Sequence, residues 1–293
     1  MRHIPTHSVK KLGVPAALHK LTEFVVLAGQ EALSMQDEVI AAAEAGTDIA
    51  QKGGNPFASA LTDADIAVQT AFALRLKTTF ADVSFYGEEA EHDRVSKYIP
   101  SGRPYTVTLD PINGTLYYKH GLPIFETIVT LCEGDRIIGA LIYLPAKNIL
   151  FRAINHGGKR QLDEYRLNSQ GDILDQVTRE LCQQKKRQRV VLLGEEFADR
   201  ESAIKAADLR PVFPWRDFNG QKDWTHASSG ILLDDCVGIL NRSTQLIDGG
   251  AVAFAAECAG AHWLHKPLNA DMRYEDNVLA VDDKIASLLM SLL

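Results

Sequence analysis

The sequence predicts an α+β fold, because helical and strand-like segments occupy largely separate stretches of the chain. Apolar residues recur at helical spacing from Val14 to about Ala45, and short β-type runs follow one another between Val83 and Ile154. Strand-like and helical segments then alternate towards the C-terminus. With 293 residues, the chain can bury a large core in one domain or in two closely associated halves.

The N-terminal part is predicted to be helical. Val14–Ala45 reads as one long helix or a broken pair of helices, and Gly46 supplies a stop. Residues 51–59 hold two glycines, a proline and an asparagine, which predicts a loop. Thr62 can cap the next helix, with Asp65 at the third helical position of a capping box. On this pattern alone, Asp65 is as readily a capping residue as a functional one.

The middle of the chain is predicted to form a sheet. Its strands are expected at Val83–Tyr86, Tyr105–Leu109, Ile124–Cys132, Arg136–Leu144 and Ile149–Ile154. Glu133-Gly134-Asp135 indicates a hairpin turn between the third and fourth of them. Residues 161–188 are polar and are predicted to be helical, with a basic end at 185–189 that we interpret as a solvated helix terminus. A strand at Val190–Leu193 and an alanine-rich helix between Ala251 and Gly260 follow.

Composition favours a soluble enzyme. Apolar residues make up 46% and charged residues 24% of the chain, as in ordinary globular proteins. The net charge of −7 disfavours nucleic acid or an anionic membrane as a partner. The four cysteines are far apart, which suits reduced thiols better than a disulfide framework. No apolar run is long enough for a transmembrane helix and the N-terminus lacks a signal peptide, so we expect a cytoplasmic location.

Two acidic motifs stand where predicted strands end. The segment Leu109–Thr115 breaks a β-type run with Asp110, Pro111 and Gly114, which predicts a sharp turn. Gly87-Glu88-Glu89 ends another such run. Each motif alone is commonly a turn or a solvated loop, but a carboxylate beside exposed backbone carbonyls is also what a hard cation requires. Together the two strand ends suggest a magnesium site.

Four motifs in order resemble the inositol monophosphatase family, from about residue 20 to the C-terminus. They are Leu61–Asp65, Gly87–Glu89, Asp110–Thr115, and Asp248–Ala251 with Glu257–Gly260. That family comprises Mg²⁺-dependent, typically lithium-sensitive phosphatases of small phosphorylated metabolites. The resemblance implies a sugar-phosphatase-like fold of alternating α, β, α, β and α layers. It also implies one domain with an N-terminal half (about 1–155) and a C-terminal half (about 156–293), and a homodimer.

The resemblance implies a role for each motif residue. Two Mg²⁺ sites would be built from Glu88, Asp110 and the Ile112 carbonyl for one ion, and from Asp110, Asn113 and Asp248 for the other. Thr115 with Asp65 would orient the attacking water, and the backbone amides of Gly114 and Thr115 would bind phosphate oxygens. Glu89 would lie behind the ligands or at the surface.

Three positions depart from the family pattern. Asn113 stands where the family has a metal-binding aspartate, and an amide supplies a neutral oxygen instead of a charged one. Ile247 replaces a common tryptophan, which we interpret as a packing change. Asn241 occupies a position that is acidic in some inositol phosphatases, which disfavours inositol phosphate as the substrate.

Two functions follow from Asn113. In the first, the chain is an active phosphatase of an inositol phosphate, a sugar phosphate or a nucleotide 3′-phosphate, with the substrate or a neighbouring acid making up for the lost charge. In the second, it is an impaired family member that binds phosphorylated metabolites as a sensor or scaffold. We favour the first, because Asp65, Glu88, Asp110, Thr115 and Asp248 are all present.

Overall fold

The structure is a computed structural model that describes residues 7–45, 62–89, 95–181, 189–269 and 272–293. The predicted Gly46 stop, the loop at 51–59 and residues 185–188 of the basic run lie outside the described residues. The chain divides into two compact units, Met1–Lys159 with Asp163–Val177, and Arg160–Leu162 with Thr178–Leu293. Each unit combines helices with a β-sheet, so the predicted α+β fold class is confirmed.

The helices of the first unit are α1 Val9–Leu12, α2 Val14–Ser34, α3 Gln36–Glu44, α4 Asp63–Thr79 and α5 Thr115–Lys119. Met35 separates α2 from α3, so the predicted helical stretch is a broken pair. The buried side of α2 packs on the sheet at two glycines. A Cβ on Gly139 would lie 2.6 Å from Leu18, and one on Gly29 would lie 2.5 Å from the ring of Tyr143. These glycines therefore allow the helix to approach the strand closely.

The sheet of the first unit has seven strands in sequential order: β1 Val83–Gly87, β2 Tyr105–Asn113, β3 Glu126–Glu133, β4 Arg136–Leu144, β5 Ile149–His156, β6 Lys159–Leu167 and β7 Ile173–Thr178. β1 runs parallel to β2, whereas the ladders from β2 to β5 are antiparallel. The five predicted strands and the hairpin turn between β3 and β4 are confirmed.

The prediction of a helix over 161–188 is wrong for the part that is described, because β6 and β7 occupy it. Polar residues dominate this stretch, and all six residues of β7 are exposed. The pattern therefore lacked the apolar alternation that marks a strand. Pairing with neighbouring strands, rather than intrinsic preference, sets the conformation here.

The second unit holds a five-stranded sheet in the order β11-β12-β10-β8-β9. Its strands are β8 Val190–Leu193, β9 Arg210–Val212, β10 Gly238–Gln245, β11 His262–Leu264 and β12 Arg273–Ala280. Its helices are α6 Glu201–Ala206, α7 Pro214–Phe218, α8 Ala251–Cys258 and α9 Asp283–Met290. The predicted strand at 190–193 and the alanine-rich helix are thus confirmed. Among the described residues, no helix has the length and apolar character needed to cross a membrane.

Candidate active site

Parallel pairing of β1 and β2 brings the two acidic motifs together. The last rung of this ladder joins Gly87 to Leu109, and the Glu88 amide then donates to the Leu109 carbonyl at 3.0 Å. Glu88 and Asp110 each follow directly after that rung, so their backbones leave it side by side. The pairing of β1 with β2 therefore brings the two predicted acidic motifs next to each other.

An irregularity in β2, rather than the predicted end of the strand at Leu109, shapes the central motif. β2 continues to Asn113, and its register with β3 shifts between Asp110 and Asn113. Such a shift turns side chains out of the regular alternation and is common next to active sites. Two hydrogen bonds hold it: the Ile112 amide donates to Asp110 Oδ1 at 3.1 Å, and the Thr127 hydroxyl donates to the Pro111 carbonyl at 2.8 Å.

Gly114 converts the end of β2 into the start of α5. Its φ of 86° lies in the left-handed region, which favours glycine, and an added Cβ would make a tight contact of 3.1 Å with the ring of Tyr117. Thr115 opens the helix, and its hydroxyl donates to the Ile112 carbonyl at 2.8 Å. Asp65, which is predicted to orient the attacking water together with Thr115, is hydrogen-bonded to Thr62.

Asp65 is a fully buried carboxyl group at the start of α4. The predicted capping box is confirmed: the Thr62 amide and hydroxyl donate to Asp65 Oδ2 at 2.8 and 2.6 Å, and the Asp65 amide donates back to the hydroxyl at 3.4 Å. Burial raises the pKa of Asp65 to about 8, and the Thr62 hydroxyl opposes this while the charges of Glu88 and Glu89 add to it. Asp65 Oδ1 has no hydrogen-bond partner within the described part of the chain.

The capping role of Asp65 and a place in the site are therefore compatible. One oxygen holds the helix terminus, the other has no hydrogen-bond partner among the described residues, and the negative charges of Glu88 and Glu89 act electrostatically on Asp65. A bound cation would stabilise negative charges that act on one another in this way.

Glu89 is buried, so of the two places expected for it the surface is excluded. Its amide donates to Oε1 of Gln69, a fully buried side chain one turn after Asp65 on α4. Gln69 also fills the space above Gly87, where an added Cβ would lie 2.2 Å from Oε1. Sequence reasoning missed Gln69; the available signal was a polar residue four positions after Asp65, on the same face of the helix.

Asn113 is hydrogen-bonded to a carboxylate that sequence reasoning also missed. Asn113 pairs with Glu126 across the β2–β3 ladder, and its Nδ2 donates to Glu126 Oε2 at 2.9 Å. Glu126 is only 1% exposed. The signal was a lone glutamate inside the apolar run Ile124–Val129, since charged residues are almost never fully buried without a partner.

Asp248 lies in the second unit, on a single π-helical turn, Leu246–Gly250, that leads into α8. Such turns occur frequently at functional sites. Burial raises the pKa of Asp248 to about 6, against the opposing effects of the Gly249 amide and the Thr244 hydroxyl, which donates to Oδ1 at 3.2 Å. Its role as a metal ligand stays a prediction.

The donors of the first unit fit a hard cation in kind. In the residues that the structure describes, no three His, Cys, Asp or Glu side chains form a group that could hold a metal ion. The predicted set there has only two carboxylates, Glu88 and Asp110, and relies on the Ile112 carbonyl and the Asn113 amide for the rest. All of these donors are oxygen atoms, which Mg²⁺ prefers, and one of them, Glu88, also acts electrostatically on the buried Asp65.

Comparison with known proteins identifies related sequences and folds. The sequence profile of the inositol monophosphatase family matches residues 18–212. An inositol monophosphatase of Dictyostelium discoideum is 32% identical over 98 residues, which is 33% of this chain and only 35% of that protein's length. The Nus factor SuhB of Salmonella typhimurium is 24% identical over 211 residues, covering 67% of this chain and 76% of its own.

A solved structure shows the same fold over nearly the whole chain. The extragenic suppressor protein SuhB of Bartonella henselae superposes with a TM-score of 0.68 at 17% identity, covering 94% of this chain and 98% of its own.

Proposed function

This chain belongs to the inositol monophosphatase family, and from that premise we propose that it is a Mg²⁺-dependent phosphatase of a small phosphate monoester. The observation that carries the proposal is the pair of acidic residues, Glu88 and Asp110, that β1 and β2 bring side by side. The charge of Glu88 also acts on the buried Asp65 of α4. Buried acidic groups of this kind are costly to fold, and are retained where they bind cations or move protons.

The predicted ligands in the first unit are Glu88, Asp110, the Ile112 carbonyl and the Asn113 amide oxygen, and Asp248 remains a ligand predicted from sequence. A bound Mg²⁺ supplies charge neutralisation for the phosphate and a lower pKa for water. Asp110 is held ready for this role by the Ile112 amide, which donates to Oδ1 and so fixes the orientation of the carboxylate.

Thr115 and Asp65 are suited to orienting and deprotonating water. The Thr115 hydroxyl donates its one hydrogen bond to the Ile112 carbonyl, so it can only accept a hydrogen bond from a further donor such as water. Asp65 uses Oδ2 to bind Thr62, which leaves Oδ1 as the atom that would take up a proton. Its raised pKa suits a general base at neutral to mildly alkaline pH.

Gly114 and the first turn of α5 are suited to the phosphate. The opening amide groups of a helix lack partners within the helix and attract anions. The absence of a side chain on Gly114 permits close approach of a ligand to this backbone. Asn241 makes a sugar phosphate or a nucleotide 3′-phosphate a better candidate than an inositol phosphate.

Phosphate release from a panel of inositol, sugar and nucleotide 3′-monophosphates tests the proposal, with and without Mg²⁺ and Li⁺. We expect Mg²⁺-dependent release that falls by about a hundredfold or more in Asp110→Asn, the loss typical of removing a catalytic electrostatic group. The matched control is Asp63→Asn, an exposed carboxylate on the first turn of α4, which should keep full activity. A folded wild-type protein that releases phosphate from none of the panel would refute the phosphatase.

Asn113 favours one alternative, a family member that binds phosphorylated metabolites and turns them over slowly. Equilibrium dialysis of the same panel separates the two functions. Binding without release would support the sensor or scaffold, and brisk release would exclude it.

A further inference from the structure

The neutral Asn113 stands directly against a buried carboxyl group. Its Nδ2 donates to Glu126 Oε2 at 2.9 Å, and the two residues face each other as a cross-strand pair. Glu126 has an exposed fraction of 1%. A carboxylate is rarely buried to this extent without a function or a compensating partner, because removing a charge from water is expensive.

Glu126 belongs to the same local structure as the acidic motif. The next residue on β3, Thr127, donates its hydroxyl to the Pro111 carbonyl, inside the register shift that follows Asp110. The start of β3 is therefore bonded to the motif at two successive residues. Movement of Glu126 would disturb Asn113, and the reverse holds as well.

The chemistry of the pair decides which way the Asn113 amide points. An ionised carboxylate only accepts hydrogen bonds, which agrees with the amide nitrogen of Asn113 facing Glu126. The carbonyl oxygen, Oδ1, is then on the other side of the amide. This orientation keeps an oxygen donor available at position 113 while the negative charge lies one side chain further back.

We propose that Glu126 supplies the negative charge that the family carries at position 113, so that Asn113 and Glu126 together replace the family's aspartate at the divalent-cation site. The inference rests on the proposed function, because it presumes that a cation binds there. Glu126 is a positioning residue: it orients the Asn113 amide by the hydrogen bond and adds charge to the site.

Calorimetric titration of metal-free protein with MgCl₂ alone, and with MnCl₂ alone, tests this through a double-mutant cycle. The set is wild type, Glu126→Gln, Asn113→Asp and the combined variant. We expect Glu126→Gln to weaken cation binding by about tenfold or more, because one charge is lost from a buried site. The combined variant should bind within about threefold of wild type, since it keeps one carboxylate and reverses the hydrogen bond.

Asn113→Asp alone provides a second readout. It places two carboxylates where a hydrogen bond was, so we expect a lower melting temperature without cation that recovers on adding Mg²⁺. Glu164→Gln, which removes another buried carboxylate from β6, is the matched control and should leave cation affinity unchanged.

The outcomes separate this inference from the proposed function. Unchanged cation affinity in Glu126→Gln would overturn the inference, as would a wild type that binds no divalent cation. If Glu126→Gln does not fold, the combined variant provides the test. A folded combined variant whose cation affinity is far below that of wild type would refute the joint role of Asn113 and Glu126. A wild type that binds Mg²⁺ but releases no phosphate would refute only the phosphatase, because the titration needs no turnover.

Discussion

Replacing Gly87 with alanine tests how the adjacent acidic residues, Glu88 and Glu89, are held in place. Gly87 is the last residue of β1, directly before Glu88, and an added Cβ would lie 2.2 Å from Gln69 Oε1. Gln69 is fully buried, and this same oxygen accepts the Glu89 amide at 3.0 Å. The methyl group therefore cannot enter unless Gln69 moves and the hydrogen bond is weakened or lost.

The expected loss of stability has two parts. Forcing a methyl group into a packed interior costs typically about 1–3 kcal/mol. Leaving the buried Glu89 amide without its acceptor costs about 1–3 kcal/mol more. Because relaxation of Gln69 relieves part of the first cost, we expect Gly87→Ala to lower the free energy of unfolding by about 2–4 kcal/mol. At about 2–4 °C per kcal/mol, the melting temperature should fall by roughly 4–16 °C.

Differential scanning calorimetry of the metal-free protein measures the effect. The matched control is Gly230→Ala, where the nearest atom to an added Cβ is the Asp235 Cβ at 3.4 Å, an ordinary contact. It should not lower stability, and the fewer conformations open to the unfolded chain should raise it by up to about 1 kcal/mol. A Gly87→Ala protein as stable as wild type would show that Gln69 does not fill the space above β1 and that the reasoning is wrong.

Two further predictions concern pH and have opposite signs. The pKa of Asp65, raised to about 8, means that its contribution to stability is fully present below its ordinary value near 4 and is lost as pH rises through about 8. From this group, the free energy of unfolding of the metal-free wild type should fall by on the order of 5 kcal/mol between pH 4 and pH 9. Urea unfolding of Asp65→Asn should lack that decline. Parallel plots of unfolding free energy against pH for the two proteins would contradict the prediction. For Asp82, partial burial raises the pKa, but hydrogen bonds from the Lys10 amide, the Ser8 hydroxyl and the Val9 amide outweigh it and lower the pKa overall. That contribution is present above the ordinary pKa and is lost as pH falls through the lowered one. Asp82→Asn should therefore be less stable than wild type by about 0.5–2 kcal/mol at pH 7, and the difference should shrink as pH falls through the lowered pKa; a difference that does not change with pH would count against these hydrogen bonds.

Short-range chemistry made much of this protein predictable from its residues. The capping box of Thr62 and Asp65 spans only four residues, and the hairpin turn after β3 is set by Glu133-Gly134-Asp135. The apolar strands β1 to β5 could be recognised from short β-type runs, and β3 and β4 are buried along almost their whole length. The order of the acidic motifs likewise pointed to the family that the profile match shows.

Tertiary structure decided what depends on partners distant in the chain. The polar strands β6 and β7 lack apolar runs, and their conformation is set by pairing with neighbouring strands of the sheet. Gln69 meets Gly87, and Glu126 meets Asn113, only after the helix has packed and the strands have found their register. Local sequence thus determined where turns, caps and acidic groups stand. Packing decided which buried polar groups contact one another. Hydrogen bonds in the interior join residues that are close in space, and the distance between those residues along the chain does not predict that they will meet.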